Sequence, residues 1–302
     1  MADDANWPRA SAWLAGDHLA SATRRLGVLG APLTLGSITP GRCDLAPESI
    51  RKALHRFSTY DFDSDVDVRS LHGEDLGNVQ ISQLTPEAAF EPLGQAVRAA
   101  LEGREALVLL GGDNSITRPG LLGLGLHPLQ CGLLTFDAHL DLRDLDAGLS
   151  NGNPVRALLR DGLQGDHVVQ IGIQSFANSP HYAEIAKEEG IRVISADEVR
   201  RCGIEKVVSE TLESFRRRVD VIYVDLDLDV MDRMFVPGTP GSRPGGLTPA
   251  ELRAAAHLCG MNPMVRIMDL VEFDPTHDIA DATALTAAAC LLSFASGVAR
   301  RP

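Results

Sequence analysis

Asp137, His139 and Asp141 occupy alternate positions in Phe136-Asp137-Ala138-His139-Leu140-Asp141, directly after the apolar run 132–136. In an extended segment, a spacing of two puts all three side chains on one face. Two carboxylates and an imidazole at the end of a buried strand would repel one another or be poorly solvated. A divalent cation relieves both problems. Asp225, Asp227 and Asp229 repeat the spacing after the apolar run 221–224, and Asp232 follows as a residue expected to fix the next loop. Leu226 and Leu228, between the acids, are expected to face a core, which argues against a solvated edge strand.

A third segment, Gly111-Gly112-Asp113-Asn114-Ser115, follows the apolar run 106–110. Paired glycines let a backbone approach something closely. A phosphate loop is the obvious rival, but no Gly-Lys-Ser/Thr and no Gly-x-Gly-x-x-Gly follows any strand. The first two sites supply one imidazole and at least four carboxylates. That donor set suits Mn²⁺ better than structural zinc, with magnesium as an alternative. So many acids imply two adjacent cations sharing bridging carboxylates, which would acidify a water into a hydroxide nucleophile near neutral pH. The residues therefore imply metal-assisted hydrolysis.

The elements that must position these groups alternate. Strands are expected at 26–30, 73–76, 106–110, 132–136, 167–171, 192–194, 221–226 and 265–270, several of them apolar on both faces as buried parallel strands are. Helices are expected at 47–56, 85–102, 154–160, 180–189, 204–217, 248–259 and about 280–295. Pro47, Pro86, Pro180 and Pro249 fall where a first turn would begin. This rhythm predicts an α/β fold with one parallel sheet and helices on both faces, its ligands gathering outside the carboxyl ends of the strands.

The whole chain sets further bounds. Its 302 residues suffice for a large core. The net charge of −13, with no basic run beyond Arg216–Arg218, argues against nucleic acid or an anionic membrane as partner. No signal-like segment follows the acidic start, and no uncharged apolar stretch is expected to reach the length of a membrane span. The five cysteines are odd in number and never in a C-x-x-C pair, which fits a reducing cytoplasm.

Taken together, these motifs resemble the ureohydrolase superfamily of arginases, agmatinases and formimidoylglutamases. Residues 136–141 look like its Asp-Ala-His-x-Asp motif, and 225–238 look like its Ser-x-Asp-x-Asp…Pro-Gly motif. Pro244-Gly245-Gly246-Leu247-Thr248 and 269–275 match two further signatures. The resemblance implies a three-layer α/β/α, arginase-like domain over residues 1–302. Its mostly parallel sheet would have about eight strands, and residues 1–20 would form a peripheral extension. It also implies that Asp137 and Asp227 bridge two Mn²⁺ ions and that His139 and Asp229 complete one site. Asp141 would serve the other site with Asn114, as a weak ligand or a neighbour of one, and Glu272 would face the substrate nitrogen. Asp225 stays outside the ligand set because the family usually has Ser there.

Two departures narrow the resemblance. Asn114 stands where the superfamily usually has a metal-binding His, and Asn151-Gly152 replaces the His-Gly of arginases. Gly-Gly-Asp-Asn-Ser, 151–156 and 170–179 are similar to a formimidoylglutamase branch, which implies hydrolysis of N-formimidoyl-L-glutamate to L-glutamate and formamide. Such a substrate carries two carboxylates, which arginine suits. Arg143, Arg156 and Arg243 are the candidates to bind it, with Asn151 also at the substrate, and Asp141 to protonate the leaving amine. The competing readings are another amidine or guanidine hydrolase such as an agmatinase or guanidinobutyrase, a non-catalytic relative with a weakened metal site and, more remotely, a metal-dependent phosphatase. The default assembly is a closed homo-oligomer.

Overall fold

The runs of Val, Ile and Leu that lack an exposed face become the central strands of one sheet, whose edge strands are partly exposed. A computed structural model describes residue 4 and residues 6–302; the rest of the acidic start lies outside the described residues. The strands are β1 (Arg24–Ala31), a short antiparallel ribbon of β2 (Tyr60–Asp61) and β3 (Val66–Asp67), β4 (Leu71–Asn78), β5 (Ala106–Gly111), β6 (Cys131–Phe136), β7 (Val168–Ile173), β8 (Arg192–Ser195), β9 (Val221–Asp227) and β10 (Val265–Val271). All but the ribbon form an eight-stranded sheet in the order β4-β1-β5-β10-β9-β6-β7-β8, and every adjacent pair is parallel.

Side-chain alternation along these strands feeds two cores. Val108, Leu134 and Phe136 point to one face, with Ile50, Leu212 and Phe294; Leu107, Leu109 and Leu133 point to the other, with Leu93, Val97 and Leu158. The helices are α1 (Ala10–Leu14), α2 (Ala46–Ala53), α3 (Pro86–Leu101), α4 (Thr117–Leu122), α5 (Pro154–Arg160), α6 (Pro180–Glu188), α7 (Ala196–Cys202), α8 (Ile204–Phe215), α9 (Pro249–Met261) and α10 (Ala282–Ala299). Residues of α2, α8, α9 and α10 enter the first core and residues of α3, α4, α5 and α6 the second, giving three layers. Proline opens α3, α6 and α9, where its missing N–H costs nothing, and Thr248 and Glu251 form a reciprocal cap at α9.

Three expectations need correction. The segment 282–299 is an uncharged 18-residue helix, long and apolar enough to cross a membrane by length and composition alone. It is a core helix here, 67% buried and packed against α9 and α2. Part of the segment 1–20 is also far from peripheral. Trp13 of α1 is fully buried and donates Nε1–H to the Leu71 carbonyl at 2.8 Å. Helices α1, α4 and α7 went unexpected; α4 holds Pro119 and Gly120, which usually break helices, inside its six residues.

Candidate metal centre and substrate cavity

Four adjacent central strands, β5, β10, β9 and β6, carry the candidate residues at their carboxyl ends. Asn114 follows β5, Glu272 follows β10, Asp227 ends β9, and Asp137, His139 and Asp141 follow β6. This is the edge where a parallel sheet gathers its ligands. Alternation along an extended strand explains only part of the convergence. β6 stops at Phe136, and the Asp137 carboxylate accepts the His139 N–H at 2.6 Å, turning the chain. β9 stops at Asp227, whose carboxylate accepts the Asp229 N–H at 2.8 Å and starts a 3-10 turn. Aspartate competes with the ladder for these amides and favours a turn over a strand. Local capping therefore delivers His139, Asp141 and Asp229.

His139 Nδ1 lies 2.9 Å from Asp229 Oδ2 and 3.4 Å from Asp137 Oδ1. Ligating atoms of these three residues all fall within 4.8 Å of one another. Asp227 and Asp141 are buried, and they line the same cavity as His139, Asp229 and Glu272. Asp141 and Glu272 adopt left-handed backbone conformations, φ 52° and 63°. Such angles cost non-glycine residues energy and concentrate at functional sites. Gly241 is required beside them, because a Cβ there would strike the Asp229 carboxylate. The Gly-Gly turn serves a different close approach. Gly112 passes against the backbone of Leu33, and Asp113 N–H binds the Leu33 carbonyl at 2.8 Å.

Crowded acids control the electrostatics. Burial pushes the Glu272 carboxyl up to about 8, and the nearby Asp113 charge adds to it. Burial and Asp229 raise Asp137 to about 6, and burial with Asp229 and Asp137 raises Asp227 well above the carboxylate range. Burial, then Asp137, does the same to Asp141. For His139 burial disfavours charge, but Asp229 and Asp137 outweigh it and push the imidazole up to about 11. Arg243 resists that charge, since its Nη1 stands 2.6 Å from Nε2 and can only donate. A ring accepting from Arg243 holds its proton on Nδ1, toward Asp229. That contact keeps the ring neutral against the pull of the two carboxylates. The donor set fits a divalent cation: buried carboxylates that only protons otherwise quiet, with an imidazole nitrogen among them.

The cavity, about 450 Å³, is lined by His139, Asp141, Asp227, Asp229 and Glu272 together with Arg143, Asn151, Arg243, Tyr182 and Asn178. Arg143 and Arg243 are thus brought to the acids. Arg156 is not: it sits in α5 and is absent from the lining, because the helix has begun two residues earlier and takes it from the loop. Asn151 donates Nδ2–H to Glu272 Oε1 at 3.0 Å, while its Oδ1 accepts from Ile38 N–H. Asn114 donates its backbone N–H to the same Glu272 oxygen at 2.7 Å and its Nδ2–H to Asp141 Oδ2 at 2.7 Å. Asp232, as expected, ties its loop by accepting from Met234 and Gly245.

Several supporting residues escaped the sequence reading. Asn178 clamps the loop after β6, accepting Leu140 N–H and donating to the Ala138 carbonyl. Asp269 lies opposite Asp225 in the β10–β9 register and accepts from Tyr223 Oη–H at 2.6 Å. Asp225 has two buried oxygens without a donor. Burial and the Asp269 charge raise its pKa, so its own proton serves the pair. The available signal was a lone Asp inside the apolar run 265–270.

The arginase family profile matches residues 24–296, and the chain belongs to the arginase family. Among its relatives, the formimidoylglutamase of Halalkalibacterium halodurans is 37% identical over 275 residues, covering 90% of this chain and 86% of that one. The crystal structure of formimidoylglutamase from Bacillus subtilis shares the fold with a TM-score of 0.92 at 30% identity, covering 100% of this chain and 95% of that one. A Trypanosoma cruzi formiminoglutamase solved with Mn²⁺ has a TM-score of 0.86 at 25% identity, covering 98% of this chain and 100% of that one. The chain is accordingly a hydrolase acting on amidino C–N bonds.

Proposed function

We propose that this protein hydrolyses N-formimidoyl-L-glutamate to L-glutamate and formamide, the nitrogen-releasing chemistry of histidine degradation. The observation that carries the reading is the composition of the cavity: buried acids suited to cations and an amidine, with Arg143 and Arg243 in the same lining. Arginine pairs bidentately with carboxylates, of which this substrate has two and agmatine none. The names of the relatives at 37% and 33% identity support the same substrate.

In this reading Asp137, His139, Asp141, Asp227 and Asp229, with Asn114 beside them, would hold two Mn²⁺ ions. The bound ions supply a water acidic enough to act as nucleophile near neutral pH. The protein does the rest. Glu272 takes two N–H donors on Oε1, from Asn114 and Asn151, which aims Oε2 at the formimidoyl nitrogen. Arg143 and Arg243 hold the glutamate carboxylates and fix the electrophilic carbon over the acids. Asp141 would relay to the departing amine the proton that the activated water gives up. We read residues 1–302 as one functional unit, cytoplasmic in keeping with its free thiols and assembled as a homo-oligomer.

The test is formamide release from N-formimidoyl-L-glutamate by Mn²⁺-loaded protein, with agmatine and arginine in parallel. Turnover of the glutamate derivative alone is expected. Arg243→Met should raise its KM about tenfold or more with a smaller change in kcat. Turnover of a guanidino compound instead would overturn the substrate and keep the hydrolase.

A further inference from the structure

Behind Asn114 runs a hydrogen-bond chain with no exposed member. Asn114, Thr117, Asp269 and Tyr223 are each at most 1% exposed. Thr117 Oγ1 lies 2.6 Å from Asn114 Oδ1 and 3.0 Å from Asp269 Oδ2. Asp269 accepts on both oxygens, from Tyr223 Oη–H at 2.6 Å and Leu226 N–H at 3.2 Å. A hydroxyl has one proton to give and lone pairs to accept with, so Thr117 cannot donate to both neighbours at once.

The two choices match two orientations of the Asn114 carboxamide. In the first, Asn114 donates Nδ2–H to Asp141 Oδ2, and Thr117 donates to Asn114 Oδ1. A Thr117 lone pair then faces the Asp269 carboxylate. In the second, the carboxamide is turned over. Asn114 Nδ2–H donates to Thr117, and Thr117 hands its own proton to Asp269. Asn114 Oδ1 then faces Asp141 Oδ2 across the 2.7 Å now spanned by a hydrogen bond. Two acceptor oxygens so placed repel unless a cation binds both. The second arrangement satisfies every group in the chain and needs almost no movement of heavy atoms.

We infer that Thr117 is a positioning residue for the metal centre: its hydroxyl lets the Asn114 carboxamide turn over and present oxygen to a cation shared with Asp141. The inference rests on the proposed place of Asn114 beside the metal site and is independent of the substrate. It accounts for a neutral amide at a ligand position. The amide does not need an imidazole's lone pair if a hydroxyl behind it can reverse its hydrogen-bonding sense. Asp269 supplies the second half of the device by accepting the hydrogen bond that the hydroxyl redirects, and Tyr223 and Leu226 fix Asp269 for that task.

The test is Mn²⁺ titration of the full chain by calorimetry, with free Mn²⁺ followed by paramagnetic resonance. Two ions should bind wild-type protein. Thr117→Val should weaken the weaker ion about tenfold or more and spare the tighter one, the size expected for a residue supporting a ligand. Thr117→Ser should restore wild-type affinity. In an Asn114→Asp background both ends of the side chain offer oxygen, so adding Thr117→Val should cost little there. An equal loss in both backgrounds would mark a merely structural threonine and overturn the inference. So would unchanged binding in Thr117→Val, failure of serine to rescue, or uptake of one ion by wild type. Should the valine variant not fold, Thr117→Ala is judged by the same criteria. Failure to turn over N-formimidoyl-L-glutamate would leave these titrations intact, so the two proposals fail separately.

Discussion

At the amino-terminal edge of the sheet, Arg24, Arg25, Arg104, Arg266 and Arg301 gather where β1, β5 and β10 begin, far along the strands from the acids at the carboxyl edge. Both edges concentrate like charge, yet they are built differently. Arg301, 5% exposed, donates to the carbonyls of Gly260, Glu105 and Val265. Arg104 donates to Ala100 and Glu102 carbonyls and to Glu74, and Arg24 to the Ala299 carbonyl. Those carbonyls include the last turns of α3, α9 and α10, where helix dipoles favour cations. The arginines are thus answered largely by backbone. At the other edge Asp227 gives its carboxylate only to a neighbouring amide, and Glu272 receives two donors on one oxygen. Like charges that the fold answers are structural; like charges that it leaves unanswered mark a place for something bound.

Variants at the two edges should therefore fail in opposite ways. Asp227→Ala removes an unanswered charge, so turnover should fall by about a thousandfold or more while the metal-free protein melts no lower than wild type. Equal loss of activity and stability would break the contrast. Arg301→Ala removes a charge three buried carbonyls depend on, and about 3 kcal/mol of stability should go with it. Denaturant midpoints measure that loss, and kcat per folded molecule should stay within about twofold of wild type. A large kcat effect from Arg301 would show the edges to be coupled.

The sequence disclosed these edges unequally. The acids fall at close spacing within their segments, so that spacing reveals them, and most of the sheet strands follow from runs of Val, Ile and Leu, β4 being the exception. The arginines come from positions 24 to 301 and meet only through the parallel topology. A net charge of −13 hides them. Thr117 was out of reach for a similar reason, since a threonine at the start of a helix has many bland uses. Arg156 shows the reverse error. Adjacency on a loop suggested shared function, but α5 begins at Pro154 and removes it from the cavity. Local spacing also picked out Asp229 while giving the wrong cause for its place in the cavity, because a capping turn and not strand alternation delivers it.

The subtlest separation of the edges is by pH, in metal-free protein. Burial raises Glu272 from 4.5 to about 8, and raises Asp137 and Asp269 from 3.8 to about 6. Over that range the folded protein holds protons that the unfolded chain has released. Proton binding then favours the folded state, and raising the pH removes the advantage. Stability of metal-free protein should accordingly fall as pH rises from about 4 to 8, with Glu272 contributing to the upper part of that slope beside the buried Asp141, Asp225 and Asp227. Mn²⁺ should oppose the fall increasingly toward pH 8, because a cation prefers the ionised acids. Glu272→Gln isolates the contribution. It should cost about a hundredfold in kcat/KM, yet raise the melting temperature of metal-free protein at pH 8 by a few degrees and leave it unchanged near pH 4. Arg301→Ala should lower the melting curve by a similar amount at both pH values, since its carbonyl partners do not titrate. A flat pH profile in the wild type, or a Glu272→Gln shift equal at both pH values, would mean the acids are answered within the fold after all.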